Sequence, residues 1–162
     1  MPMLGTLLRH LVELLDGAVE QAYRRAGLTY RPRYTPVVRA LRALGPASIR
    51  AISLHARITH SATSQTVAQM VKDGLVQSRP GEDARERIIA LTPQARRMLP
   101  ALERQWAIID TAARRLEDDL SVPLSAVVAE AIEALAREGF AERIERAAAE
   151  HRPTSPTPPK PR

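Results

Sequence analysis

Between Thr59 and Thr92 the chain reads THSATSQTVAQMVKDGLVQSRPGEDARERIIALT, and the hydrophobic period changes once within it. Up to Gly74 the apolar residues fall at helical spacing. Thr59 is a hydroxyl cap, Val67, Met70 and Val71 face inward, and Gly74 ends the helix. After Gly74 the period becomes two. Leu75-Val76-Gln77-Ser78-Arg79 and Arg87-Ile88-Ile89-Ala90-Leu91 predict two strands, joined by the polar turn Pro80-Gly81-Glu82-Asp83-Ala84-Arg85-Glu86. Thr92-Pro93 then opens another helix, with a hydroxyl cap and proline at the first helical position.

Upstream of this stretch, Ser48 can cap a helix through Ile49, Ile52 and Ala56. Val37, Val38, Leu41 and Leu44 predict another over residues 34–44, closed by Gly45-Pro46. Three short helices followed by a two-stranded hairpin is the order of a winged helix-turn-helix. In that arrangement residues 48–57 support a recognition helix, residues 60–73, whose first turns enter a major groove. The hairpin, or wing, places a cation on the phosphates or in the minor groove. His60, Ser61, Ser64, Gln65 and Gln69 point outward and carry imidazole, hydroxyl and amide groups that can meet base edges or phosphates. An exposed helix surface with no ligand is the ordinary alternative for each.

The flanks are helical. Residues 3–26 carry Leu4, Leu7, Leu8, Leu11, Leu14, Leu15, Ala18 and Ala22 at helical spacing, with Val12 and Val19 widening the stripe and Gly27 ending it. So broad an apolar face exceeds the needs of one small core and predicts packing on two surfaces, one of them another subunit. A long helix follows Thr92 to about Leu120 through Leu99, Leu102, Trp106, Ile109 and Leu116, and Pro100 is expected to kink or break it. A last helical region runs through Leu124, Val127, Val128, Ile132 and Leu135, interrupted at Gly139 before Phe140 and Ile144. From His151 to Arg162 there are five prolines in twelve residues, so an extended, disordered tail is expected.

Composition narrows the classes. The 162 residues are 44% hydrophobic and 26% charged but only 3% aromatic, which favours a mainly α protein over aromatic-rich barrels and base-stacking sheets. Cysteine is absent, excluding disulfides, cysteine-ligated zinc, iron–sulfur clusters and thiol chemistry. No apolar run approaches the roughly 18–20 residues that span a bilayer, and the start lacks the features of a secretory signal. A cytoplasmic protein without a membrane partner is therefore expected. The net charge of +6 is unevenly placed. Residues 27–99 hold 12 basic and 4 acidic residues, while the remainder is slightly acidic. That concentration suggests a polyanion partner, with nucleic acid first. A solvated, arginine-rich surface is the bland alternative. Lysine occurs only as Lys72 and Lys160, so the charge is almost all guanidinium.

Enzyme chemistry has little support. His10-x-x-Glu13 has metal-ligand types but forms no complete site. Glu117-Asp118-Asp119 reads as a solvated charge run at a helix end, and neither a nucleophile elbow nor a phosphate-binding glycine loop occurs. No catalytic residue, cofactor or metal site is expected.

Two segments carry a family resemblance. Asp83-Ala84-Arg85-Glu86-Arg87-Ile88-Ile89-Ala90-Leu91-Thr92 resembles the wing and its exit in the MarR (multiple antibiotic resistance regulator) family of bacterial transcription factors, where Asp-x-Arg precedes a strand and Leu-Thr precedes a long helix. Thr59-His60-Ser61-Ala62-Thr63-Ser64-Gln65, with Val67, Met70 and Gly74-Leu75-Val76, resembles the family's recognition helix and its exit. The likeness in helix order extends from about residue 3 to 150. Three positions depart from the pattern. Ala84 stands where a second arginine is common, Ala95 where glycine is common, and Arg57 where the turn between supporting and recognition helices commonly has glycine. A non-glycine residue at that turn is mildly strained if its φ is positive.

The resemblance implies a homodimer on double-stranded DNA, with a pseudo-palindromic operator read by two recognition helices, and most often repression. It implies that Arg85 enters the minor groove, that Asp83 orients its guanidinium, and that Arg87 is a further contact. Members of the family respond to small anionic or phenolic effectors between the dimer helices and the DNA-binding lobe. Tyr23, Tyr30, Arg33, Tyr34 and Trp106 are the candidates here, with core packing as the ordinary alternative. The expected division is a dimerisation helix over 1–26, the winged domain over 27–92, dimerisation helices over 93–150 and the tail over 151–162. A winged protein-interaction scaffold, or an antagonist of another regulator without DNA binding of its own, is the other class; the basic middle segment argues against it.

Overall fold

The computed structural model describes residues 3–81 and 86–151. Helix α1 spans Leu4–Arg25, and a 3-10 turn at Pro32–Tyr34 leads into α2, Thr35–Leu44. Strand β1 is Ala47–Ser48, followed by α3, Ile49–Ala56, and α4, His60–Lys72. Strands β2, Val76–Pro80, and β3, Arg87–Leu91, form the hairpin, and α5 covers Pro93–Asp118. Helices α6, Leu124–Arg137, and α7, Phe140–Glu150, complete the described chain. This is the mainly α, winged helix-turn-helix architecture with long flanking helices that the periodicity predicts.

The chain divides into two units at Asp110/Thr111. In the first unit the caps form as their residue types dictate. Ser48 Oγ accepts the Ala51 N–H at 3.3 Å and Thr59 Oγ1 accepts the Ala62 N–H at 3.2 Å, each satisfying an end donor that the helix cannot. Gly74, at φ 70°, turns the chain out of α4 and into β2. The core gathers Ile52 from α3, Val67 and Met70 from α4, Ile89 from β3 and Leu102 from α5, all almost wholly buried. Each such side chain contributes roughly 1.5–3 kcal/mol by leaving water.

The sheet has three strands, not the two that alternation predicts. Its order is β1-β3-β2, all antiparallel, with Ala47 opposite Ile89 and Ser78 opposite Ile89 on the other side. Two residues of β1 are too few to show a period, and Ser48 serves both as strand and as helix cap. Pro100 does not break α5. It lies on the exposed side, where solvent can satisfy the carbonyl its ring leaves without a donor.

In the second unit, Glu117 accepts the backbone N–H of Ser125 at 2.8 Å and so caps α6. The Ser125 hydroxyl, then its backbone N–H, hold the Glu117 carboxyl below the usual range. The acidic run at the end of α5 thus has a structural use. Glu142 reaches back to the Gly139 N–H at 2.9 Å and starts α7. Both α6 and α7 leave apolar side chains exposed, among them Ile132, Phe140 and Ile144.

Thr92 joins the hairpin to the helices on either side. Its N–H donates to the Leu75 carbonyl at 3.0 Å, and its hydroxyl donates to the Gly74 carbonyl at 2.7 Å. The same oxygen accepts the Ala95 N–H at 3.2 Å, capping α5. Thr92→Val keeps the shape and removes the side-chain bonds to Gly74, Leu75 and Ala95. It is expected to lower unfolding stability by about 1–2 kcal/mol in urea denaturation, with Thr92→Ser recovering most of the loss.

Candidate nucleic-acid interface

Helix α4 presents two different faces. Thr63, Val67 and Met70 are buried, and the Thr63 hydroxyl is satisfied by the Thr59 carbonyl at 2.9 Å. On the opposite side Ser61, Gln65, Ala68 and Lys72 follow one another at helical spacing, all exposed. Among the described residues the side chains of Ser61, Gln65 and Lys72 have no hydrogen-bond or ion-pair partner. His60 is exposed and Ser64 half-buried, flanking this stripe. Ala68 and Lys72 extend the surface beyond the residues picked out by chemistry alone. Their signal in the sequence is the same-face spacing from Ser61 and Gln65. A stripe with a small residue in its middle lets a helix lie close to another surface.

Gln69 makes one bond within the helix: its Nε2 donates to Asp73 Oδ1 at 2.9 Å, one turn along, leaving its carbonyl oxygen and second N–H. Asp73 also accepts the Tyr34 hydroxyl on Oδ2 at 2.5 Å, and Arg31 Nε lies 3.9 Å from that oxygen. The Tyr34 donor, then the Gln69 donor, hold the Asp73 carboxyl below its ordinary range. Burial, then the bond to Asp73, push the Tyr34 hydroxyl above its own. A residue 39 positions upstream therefore clamps the end of the recognition helix.

In the wing, Arg87 is exposed and its Nε donates to Ser78 Oγ across the hairpin at 3.1 Å. Arg79 is exposed on the neighbouring strand. Asp83 and Arg85 lie outside the described residues. The Gly81 N–H bonds to the Glu86 carbonyl at 2.8 Å, closing the ladder on either side of them.

The effector candidates gather in one place, mostly as core. Tyr23, Tyr30, Tyr34 and Trp106 are buried, with edge-to-face contacts between Tyr23 and Tyr30 at 5.0 Å and between Tyr30 and Tyr34 at 5.8 Å. Trp106 Nε1 donates to the Tyr23 hydroxyl at 3.1 Å, and Tyr23 pairs with Thr35 Oγ1 at 3.3 Å. The Tyr30 hydroxyl sits among Thr35, Tyr23 and Tyr34 without a hydrogen bond of good geometry, and burial pushes its ionisation far upward. Arg33 is exposed and stacks over Tyr34 at 5.7 Å. Trp106 also lines a surface cleft. The cleft is open, about 450 Å³, and is lined also by Arg39, Arg42, Glu103, Ala107 and Asp110. Arg39 lies over the indole at 4.9 Å and pairs with Asp110 at 3.3 Å, while Arg42 pairs with Glu103 at 3.0 Å.

Among the described residues no cluster of histidine and carboxylates could hold a metal ion, and no helix is long and apolar enough to cross a membrane.

A supporting helix, a capped recognition helix and a hairpin packed beside them define a winged helix-turn-helix. A model described as the MarR family matches residues 26–86, the stretch that holds the helix-turn-helix and most of the wing. An uncharacterized HTH-type transcriptional regulator of Bacillus subtilis, YwoH, is 24% identical over 117 residues, covering 69% of this chain and 80% of that relative. Among solved structures, the Mycobacterium tuberculosis transcriptional regulator MOSR in complex with DNA superposes with a TM-score of 0.64 at 18% identity, covering 85% of this chain and 97% of that one. Bordetella bronchiseptica BpsR, whose DNA binding is described as regulated by 6-hydroxynicotinic acid, gives a TM-score of 0.60 at 16% identity, covering 83% and 93%. These structural likenesses establish the fold.

The clamp on α4 has a pH signature. The Asp73 carboxyl is lowered in the folded chain, so its contribution is complete above the ordinary carboxylate range and is lost as pH falls through the lowered value. Asp73→Asn should therefore melt below the wild type at pH 7, and the difference should shrink between pH 5 and pH 2. Tyr34→Phe should cost stability at pH 7 in the wild-type background and much less in Asp73→Asn, read by thermal melts of the four proteins.

Proposed function

We propose that the protein is a homodimeric, sequence-specific regulator of transcription that binds double-stranded DNA, with repression as its mode. The observation that carries this reading is the outward face of α4. Ser61 and Gln65 stand unpartnered and exposed on a capped helix, in the lobe that holds all of the chain's excess positive charge. Bases are read by such neutral donors and acceptors, while guanidinium groups around them meet phosphates. In this reading residues 27–92 bind DNA, with His60, Ser64 and Gln69 flanking the groove-facing stripe and Asp83, Arg85 and Arg87 acting in the wing. The protein works in the cytoplasm, where its DNA is, and has no catalytic role.

The segments 1–26 and 93–150 form the dimer. Leu4, Leu7, Leu8, Leu14 and Leu15 of α1 are all exposed, as are Val127, Ile132 and Leu135 of α6. Contiguous exposed apolar faces of this kind mark surfaces that a partner covers. Two linked heads fit a pseudo-palindromic site with half-sites one helical turn or a multiple apart. A small anionic or phenolic effector is proposed for the region of Tyr23, Tyr30, Arg33, Tyr34 and Trp106. The support is the cleft where Arg39 and the Trp106 indole meet, together with the ligand named for the structural relative BpsR.

Gln65→Ala is expected to weaken operator binding by about 1–3 kcal/mol while leaving random duplex nearly unaffected, because an amide can pair bidentately with adenine. Arg85→Ala is expected to weaken both and to reduce the salt slope by about one unit. A salt titration of both variants against operator and scrambled duplex separates reading from positioning, and equal losses on both duplexes for Gln65→Ala would refute base readout. Removing residues 1–24 should abolish the dimer in sedimentation and with it high-affinity footprinting, since the gain from linking two heads disappears. A truncated protein that still protects both half-sites would overturn the assignment of α1.

A further inference from the structure

Arg57 stands at the turn between α3 and α4 with φ 54° and ψ 39°, in the left-handed region. Among the described residues it is the one non-glycine with positive φ; the others are Gly27, Gly45 and Gly74. The turn itself requires this conformation. The Arg57 N–H bonds to the Leu54 carbonyl at 3.4 Å and the Ile58 N–H to the Ser53 carbonyl at 3.2 Å, which closes α3 and delivers the chain to the Thr59 cap. Glycine would make the same turn without the crowding that a β-carbon brings.

The arginine side chain gains nothing within the described chain to offset that crowding. It is exposed, and it has no hydrogen bond, ion pair or ring contact among the described residues. Arg31, Arg39 and Arg42, by contrast, each meet a carboxylate. Arg50, seven residues earlier, is exposed and its guanidinium likewise unpartnered, and Leu54 between them is 71% exposed. The surface leading to the start of the recognition helix thus carries two free cations, one of them on strained backbone. Strain of this kind persists where a side chain has work outside the fold.

We propose that Arg57 is a DNA-backbone contact, its guanidinium gripping a phosphate at the entrance to α4 and so fixing the depth and register of Ser61 and Gln65 in the groove. The inference rests on the DNA-binding reading above. A planar fork of donors suits a phosphate in the bidentate manner.

Wild type, Arg57→Gly, Arg57→Asn and Arg57→Lys are compared for binding to a random-sequence duplex of about 25 base pairs by fluorescence anisotropy across a salt series, with thermal melts alongside. Glycine and asparagine both tolerate the left-handed region, so these variants should melt at or above the wild type. They should nevertheless bind about five- to tenfold more weakly near 0.1 M salt, with a salt slope lower by about one unit. Arg57→Lys should keep the slope. Wild-type affinity and slope in Arg57→Gly or Arg57→Asn would overturn the contact, as would a loss in Arg57→Lys equal to that in Arg57→Asn. A lower melting temperature for Arg57→Gly would overturn the strain on which the argument stands. If wild type itself shows no salt-sensitive binding, the DNA-binding reading fails and this inference falls with it.

Discussion

One hydroxyl oxygen, on Thr92, sits where three elements have to agree. It donates to the carbonyl that ends the exit from the recognition helix and accepts the N–H that begins α5, while the backbone of the same residue closes the first rung beyond the wing. Helix ends leave donors and acceptors without partners, and strand ends do likewise. A single side chain that satisfies both kinds of end makes the angle between them a consequence of hydrogen-bond geometry. The recognition helix, the wing and α5 are therefore set relative to one another within a few residues of chain. The core residues Met70, Ile89 and Leu102 can then meet.

The opposite end of that frame is held by a longer connection. Tyr34 clamps Asp73 from outside the helix-turn-helix, and Gln69 shares the carboxylate from within α4. Behind Tyr34, the rings of Tyr30 and Tyr23 and the indole of Trp106 follow in unbroken contact. Any ligand that displaced this aromatic packing would act on the residue that holds the end of α4. Under the proposed function, the route from the effector region to the DNA-reading face would be this set of packed rings ending in a charge-assisted hydrogen bond.

Arginine does two separate jobs in the described chain. On α2, guanidinium groups pair with carboxylates of α5 and one covers the indole, fastening helices together. On α3, at the turn that follows it and on the wing, Arg50, Arg57 and Arg79 have no such partners among the described residues. The net charge of the middle segment alone does not reveal this split, because paired and unpaired arginines count equally toward it.

Much of the architecture is legible in the sequence because its determinants are local. Ser48, Thr59 and Thr92 each stand directly before a helix, and their hydroxyls reach only the N–H groups of its first turn. The change from helical to alternating period at Gly74 is likewise contained in a window of a few side chains. The candidate groove-facing residues Ser61 and Gln65 are legible for the same reason, since a helix places them opposite Thr63 and Val67 by geometry alone. Tertiary structure decided the rest. Ala47 and Ser48 become a strand only because β3, some forty residues later, offers an open edge. The amide of Gln69 donates to Asp73, whose carboxylate is in turn held by Tyr34, a partnership that helical spacing does not announce. Tyr23, 83 positions from Trp106, is committed to the core by a hydrogen bond that no local pattern announces. Caps and periods are written within one or two helical turns, whereas the partner of a buried polar group is chosen by packing among elements distant in the chain.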